Sequence, residues 1–97
     1  MIEQAEGRLR VTAPMLIANA RALLEAGYPL LNSGAQAGEL LLDLAGVTEL
    51  DSSSLGTLFA WQRKAAKFGV QLRIAHPPAS MISLAELYGV SELLPLA

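Results

Sequence analysis

The stretch Leu50-Asp51-Ser52-Ser53-Ser54-Leu55-Gly56 constrains this chain more than any other. Before it, Leu40-Leu41-Leu42-Asp43-Leu44 is an apolar run of strand length. After it, Leu55, Leu58, Phe59, Ala65 and Ala66 recur at helical spacing. A strand therefore hands over to a helix at a cluster of hydroxyls and one carboxylate. A helix start leaves backbone N–H groups free and carries the positive end of the dipole, which Ser and Asp satisfy. Capping needs one such residue, and here there are four in a row. The surplus suits a phosphate acceptor or a tight partner contact as well as a cap.

The flanking segments build a fold around this junction. Ile2-Glu3-Gln4 and Leu9-Arg10-Val11 read as a small hairpin about Glu6-Gly7. Thr12 and Pro14 mark a helix start, with Leu16, Ile17, Ala20, Leu23, Leu24 and Gly27 on one face and an end at Gly27 and Pro29. Residues 28–38 read as a loop. The run from Glu39 to Leu44 has the apolar continuity of a strand buried on both faces. A helix from about Ser53 to Phe68 ends at Gly69, and Val70, Leu72 and Ile74 form a further strand. After His76-Pro77-Pro78, a helix over 79–88 places Met81, Ile82, Ala85 and Tyr88 in line, and residues 90–95 add a final helical turn. Two strand–helix–strand crossovers require parallel pairing, with the opening strand antiparallel at the edge. The expected fold is α/β: a mixed four-stranded sheet with helices on one face, in a single domain spanning residues 1–97.

Composition excludes several functions. With 53% apolar and 16% charged residues the chain is not disordered, and its apolar excess points to a partner. No apolar run approaches the ~20 residues of a membrane span, and the start lacks signal-peptide character, so a cytoplasmic location is expected. A net charge of −2 argues against nucleic acid as a partner. Arg63, Lys64 and Lys67 cluster late in a helix, where cations favour the C-terminus. With no cysteine there are no disulfides or thiolate sites.

Catalysis needs a base, a nucleophile and a means of holding charge. The only imidazole, His76, reads as a turn residue rather than a partner of Ser52 or Ser53. Asp51 reads as a cap and Asp43 as a strand-end hydrogen-bond acceptor rather than as a metal-binding pair. No phosphate-cradling G-x-x-x-x-G-K-S/T loop is present. The expectation is a non-enzyme with no catalytic residues, cofactor or metal.

The element order and the Asp51-Ser52-Ser53 junction resemble the STAS domain over nearly the whole chain. The most specific match is Leu42-Asp43-Leu44, a six-residue gap, Asp51-Ser52-Ser53-Ser54-Leu55-Gly56, then Gly69-Val70-Gln71-Leu72. That family includes antagonists of anti-sigma factors, extensions of sulfate transporters and a small subunit of the lipid-asymmetry (Mla) ABC transporter. In the antagonists the second hydroxyl residue, here Ser53, accepts phosphate; Ser54 stands where their glycine usually follows. In the transporter subunits the first residue after the aspartate, here Ser52, docks on the ATPase. Leu23-Leu24-Glu25-Ala26-Gly27, Trp61 and the ending Leu84-Ala85-Glu86-Leu87-Tyr88-Gly89-Val90 look like the transporter branch. The acidic pair that antagonists carry after their second strand is missing from Val11-Thr12-Ala13-Pro14-Met15-Leu16. The resemblance thus implies a subunit regulating an ABC transporter ATPase, with a phosphorylation-switched antagonist as the alternative.

Helical geometry adds an expected contact surface. If Leu55, Leu58, Phe59 and Ala66 face the sheet, then Thr57, Trp61, Lys64 and Phe68 line the opposite side. Ser52 with these four would make an aromatic docking face, supported by Asp51, Ser54 and Gly56 of the motif. Gln62, placed toward the core, does not fit the pattern.

Overall fold

The computed structural model describes residues 1–97. Strands β1 (Ile2–Ala5) and β2 (Arg8–Val11) form the antiparallel hairpin. Its two-residue turn places Gly7 at φ +69°, a conformation that favours glycine. Helices α1 (Ala20–Gly27) and α2 (Leu30–Ser33) lead to β3 (Glu39–Asp43). Helix α3 (Ser53–Lys67), strand β4 (Gln71–Ala75) and helix α4 (Ala79–Leu87) follow, then a 3-10 turn at Ser91–Leu93. The sheet runs β1-β2-β3-β4, with β3 parallel to both β2 and β4. This is the expected mixed four-stranded sheet.

Strand parity explains the layering. Leu9, Val11, Leu40, Leu42, Leu72 and Ile74 point to one face and join Leu23, Leu58, Trp61, Ala65, Met81 and Ala85 of the helices in a single core. The residues of opposite parity, Arg8, Arg10, Glu39 and Gln71, are exposed, and Leu41 and Arg73 are half-buried. So β3 is not buried on both faces along its length: on the outer side Glu39 is exposed, Leu41 is half-buried and only Asp43, at the strand's end, is buried.

Three local readings change. The helix expected from Thr12 begins only at Ala20, after a 3-10 turn at Ile17–Asn19. The Thr12 hydroxyl donates to the Met1 carbonyl instead of capping a helix. Residues 12–16 stay out of the helix because Met15 bridges Leu50, its N–H donating to Glu49 and its carbonyl accepting from Asp51. Ile17 is therefore not a core position but is 74% exposed. The loop over 28–38 contains the short α2. Tyr88 leaves the line of Met81 and Ala85 and is exposed, because α4 ends at Leu87.

Candidate functional site

The junction sits at the C-terminal ends of the parallel strands, where α3 begins. Asp51 is its hub. One carboxylate oxygen accepts the Ser53 N–H at 2.9 Å and the Ser53 hydroxyl at 2.5 Å; the other accepts the Ile17 N–H at 2.9 Å. The Ser53 hydroxyl, followed by the Ile17 N–H, holds the Asp51 carboxyl below its ordinary range. The capping function expected of the motif thus belongs to Asp51, one residue before the helix boundary, while the Ser52 side chain caps nothing. Ser52 is exposed and Ser53 half-buried. Ser54 is buried and its hydroxyl has no partner.

The expected aromatic face does not form. Trp61 is 1% exposed, and Thr57 is buried with it. α1 packs across α3, and Gly27 leaves room for the indole, whose N–H donates to the Leu24 carbonyl at 3.1 Å. A tryptophan buried with its N–H satisfied is a core residue. Lys64 is half-buried, its ammonium 5.6 Å from the centroid of the Tyr28 ring and 5.9 Å from that of Phe68. Ala66, expected to face the sheet, is exposed, and its neighbour Ala65 is buried instead. Gln62 is half-buried and lines a surface hollow with Ala66 and Gly69.

The surface that α3 does offer is different. Ser52, Gly56, Arg63 and Lys67 are exposed along one edge, with Ala60 half-buried among them. Exposed Ile17 flanks this edge, its backbone tied to Asp51. A Cβ added at Gly56 would meet nothing within 4 Å, so the start of this edge is open ground. The spacing of Gly56, Ala60, Arg63 and Lys67 at i, i+4, i+7 and i+11 was readable in the sequence. Ile17 carried no such signal, because its exposure depends on the Asp51 contact.

No catalytic constellation accompanies the serines. His76 lies with its Nδ1 3.2 Å from Asp43, whose same oxygen accepts the Ala45 N–H at 2.9 Å. That N–H, ahead of His76, lowers the Asp43 carboxyl below its usual range against the opposing effect of burial. Asp43 is therefore the strand-end acceptor its position suggested, and the exposed His76 is its companion in the turn. No three His, Asp or Glu side chains converge in a metal-sized cluster.

The sequence matches the family described as MlaB, STAS domain over residues 2–95. The chain belongs to the STAS domain family. Solved structures agree on the fold. A Thermotoga maritima protein described as an anti-sigma factor antagonist is 17% identical, with a TM-score of 0.74 over 99% of this chain and 83% of its own. The antagonist SpoIIAA in its unphosphorylated form is 12% identical, with a TM-score of 0.72 over 100% of this chain and 86% of its own. The transporter SLC26A9 is 19% identical over 88% of this chain but only 16% of its own length, with a TM-score of 0.64. No curated protein sequence matches the chain. STAS domains are as a rule regulatory, non-enzymatic and active through protein–protein contacts. No helix of this one is long and apolar enough to cross a membrane.

Proposed function

We propose that this STAS domain is the non-enzymatic subunit that binds and regulates the ATPase of a phospholipid-transporting, Mla-type ABC transporter maintaining outer-membrane lipid asymmetry. It would work in the cytoplasm, at the inner face of the inner membrane when in complex. The observation that carries this reading is the open edge at the start of α3. Ser52 is exposed and caps nothing, and Gly56 has empty space above it. Small side chains there let a partner's backbone approach closely, with Ile17 as an apolar flank and Arg63 and Lys67 as a charged rim. The MlaB character of the family match favours an ATPase as that partner.

Co-expression with a tagged Mla-type ATPase subunit from the same genome tests the reading. The two proteins should co-purify, and Ser52→Arg should abolish capture while leaving the melting temperature unchanged, since the guanidinium would enter the interface unpaired. A folded wild-type domain that fails to bind that ATPase sinks the proposal.

A second reading has one observation in its favour. The Ser53 hydroxyl is half-buried at the same surface and held by Asp51, so a phosphoryl group there would break that bond and place ~1.5–2 negative charges beside a carboxylate. In a phosphorylation-switched antagonist, that repulsion would also free the Ile17 segment. Phosphate found on Ser53 in cells, with release of a kinase partner, would move the assignment to this reading.

A further inference from the structure

The end of the molecule opposite Ser52 carries an unexplained apolar surface. Helix α3 returns from the C-terminal ends of the strands to their N-terminal ends, where Gly69 meets Gly38 and the Gln71 N–H donates to the Gly38 carbonyl. α4 makes the same return, and Pro95, just beyond the last 3-10 turn, lines one hollow with Gly69 and Leu72. Leu87, Tyr88 and Leu93, all in this last segment, are 76%, 58% and 61% exposed. Scattered apolar side chains on a surface need no account, but a group such as this one does.

Charge narrows what can cover it. Glu86 and Glu92 are exposed beside the leucines, and no Lys or Arg occurs from Ile74 to the end of the sequence. An anionic lipid surface would be repelled. Packing the patch on its own image in a second copy would set glutamates against glutamates. The same end, however, carries the complement. Phe68 is 46% exposed, and its neighbour Lys67 is exposed with no carboxylate partner. Beside Gly69 at this end lies the hollow, about 310 Å³, lined by Gln62, Ala66, Gly69 and Pro95 among others.

We propose that this end is a homodimer interface. Leu87, Tyr88 and Leu93 of one copy pack over Phe68 and the hollow of the second, and Glu86 and Glu92 pair with Lys67. About a two-fold axis each such contact occurs twice, which is the closed arrangement a single self-complementary surface makes. The arrangement leaves Ser52 and Gly56 at the far end of both copies, so dimerisation and docking share only Lys67, at the last turn of the α3 edge. It also gives Gln62 a place at an interface.

Sedimentation equilibrium on the full chain tests this without any partner. The mass should rise from 10.3 kDa toward twice that value as concentration is raised toward about 1 mM, the weak end of specific association. Leu87→Asp and, independently, Tyr88→Ser should keep the chain monomeric with unchanged melting temperatures, because both side chains are exposed. Glu86→Lys and Lys67→Glu should each weaken association about tenfold, and combining them should restore it, as a coupled pair requires. A wild-type chain that stays monomeric overturns the proposal. So does a dimer indifferent to Leu87→Asp and Tyr88→Ser, or a charge reversal that fails to restore association.

Discussion

Gly27 and Trp61 form one packing unit: a Cβ placed on Gly27 would stand 2.5 Å from the indole Nε1. The glycine at the end of α1 is thus required less for its backbone freedom than for the ring that lies against it. Gly27→Ala should destabilise the domain by about 1–3 kcal/mol through overpacking. Trp61→Ala should cost about 3–5 kcal/mol by leaving a large cavity. Trp61→Phe keeps most of the volume but removes the indole donor, leaving the Leu24 carbonyl only the longer bond from the Tyr28 N–H at 3.3 Å, so it should fall between wild type and Trp61→Ala. Urea unfolding of the three variants checks the order. A Trp61→Ala protein as stable as wild type would contradict the buried position.

Ser54 should respond in the opposite direction. Its hydroxyl is buried beside the helix start with no partner, and such an unpaired group costs about 1–3 kcal/mol. Ser54→Ala removes the hydroxyl, keeps the volume and favours the helix. It should raise the unfolding free energy by about 1 kcal/mol, measured by the same urea titration. Ser53→Ala, by contrast, removes a bond to Asp51 and should lower it.

Acid should release the clamp between the Ile17 segment and α3. The Asp51 carboxyl is held below its ordinary value of 3.8, first by the Ser53 hydroxyl and then by the Ile17 N–H. Asp43 is lowered too, chiefly by the Ala45 N–H. A carboxyl with a depressed folded-state pKa contributes stability that is complete above its unfolded value and is lost as pH falls through the folded one. Melting temperature should therefore hold steady from neutral pH down to about 5 and fall below about 4. In Asp51→Asn the amide can still accept the Ser53 N–H but cannot serve both sides as the carboxylate does. That variant should be less stable at neutral pH and lose less on acidification. A steeper acid loss in Asp51→Asn than in wild type would refute this role.

Much of the fold was legible because its signals are local. The hairpin about Glu6-Gly7, the apolar β3, the α3 boundaries and the breaks at Gly69 and His76-Pro77-Pro78 each depend on a few neighbouring residues. What was not legible depends on pairs distant in sequence. The late start of α1 follows from Met15 joining Leu50 and from Asp51 taking the Ile17 N–H. The burial of Trp61 follows from Gly27, thirty-four residues earlier, and no periodicity within α3 contains that fact. At the junction, where the sequence places the candidate site, the structure gathers Asp51, Ser53 and the Ile17 N–H. The face extending from it was misplaced because α3 buries two sides, one against the sheet and one against α1. Placing α1 over α3 in advance would have moved the proposed docking edge from Trp61 to Gly56, Ala60 and Arg63.

The last prediction separates stability from docking at a single residue. Gly56 lies in the first turns of α3, exposed, with open space where a side chain would project. A glycine inside a helix costs roughly 0.5–1 kcal/mol relative to alanine, and nothing here sterically requires it. Gly56→Ala should therefore stabilise the isolated domain by about that amount. On the proposed reading, the open space is where a partner ATPase seats, so a large residue should obstruct it. Gly56→Trp should leave the domain folded, with a melting temperature near that of wild type, while reducing ATPase capture at least tenfold (about 1.4 kcal/mol). Lys67→Ala, farther down the same edge, should act mainly on the salt dependence and rate of association. Measuring thermal stability and capture on the same preparations makes the two effects distinguishable. If Gly56→Trp binds the ATPase as well as wild type does, the docking surface is not the edge that begins at Ser52. If it unfolds the domain, the space above Gly56 is not open.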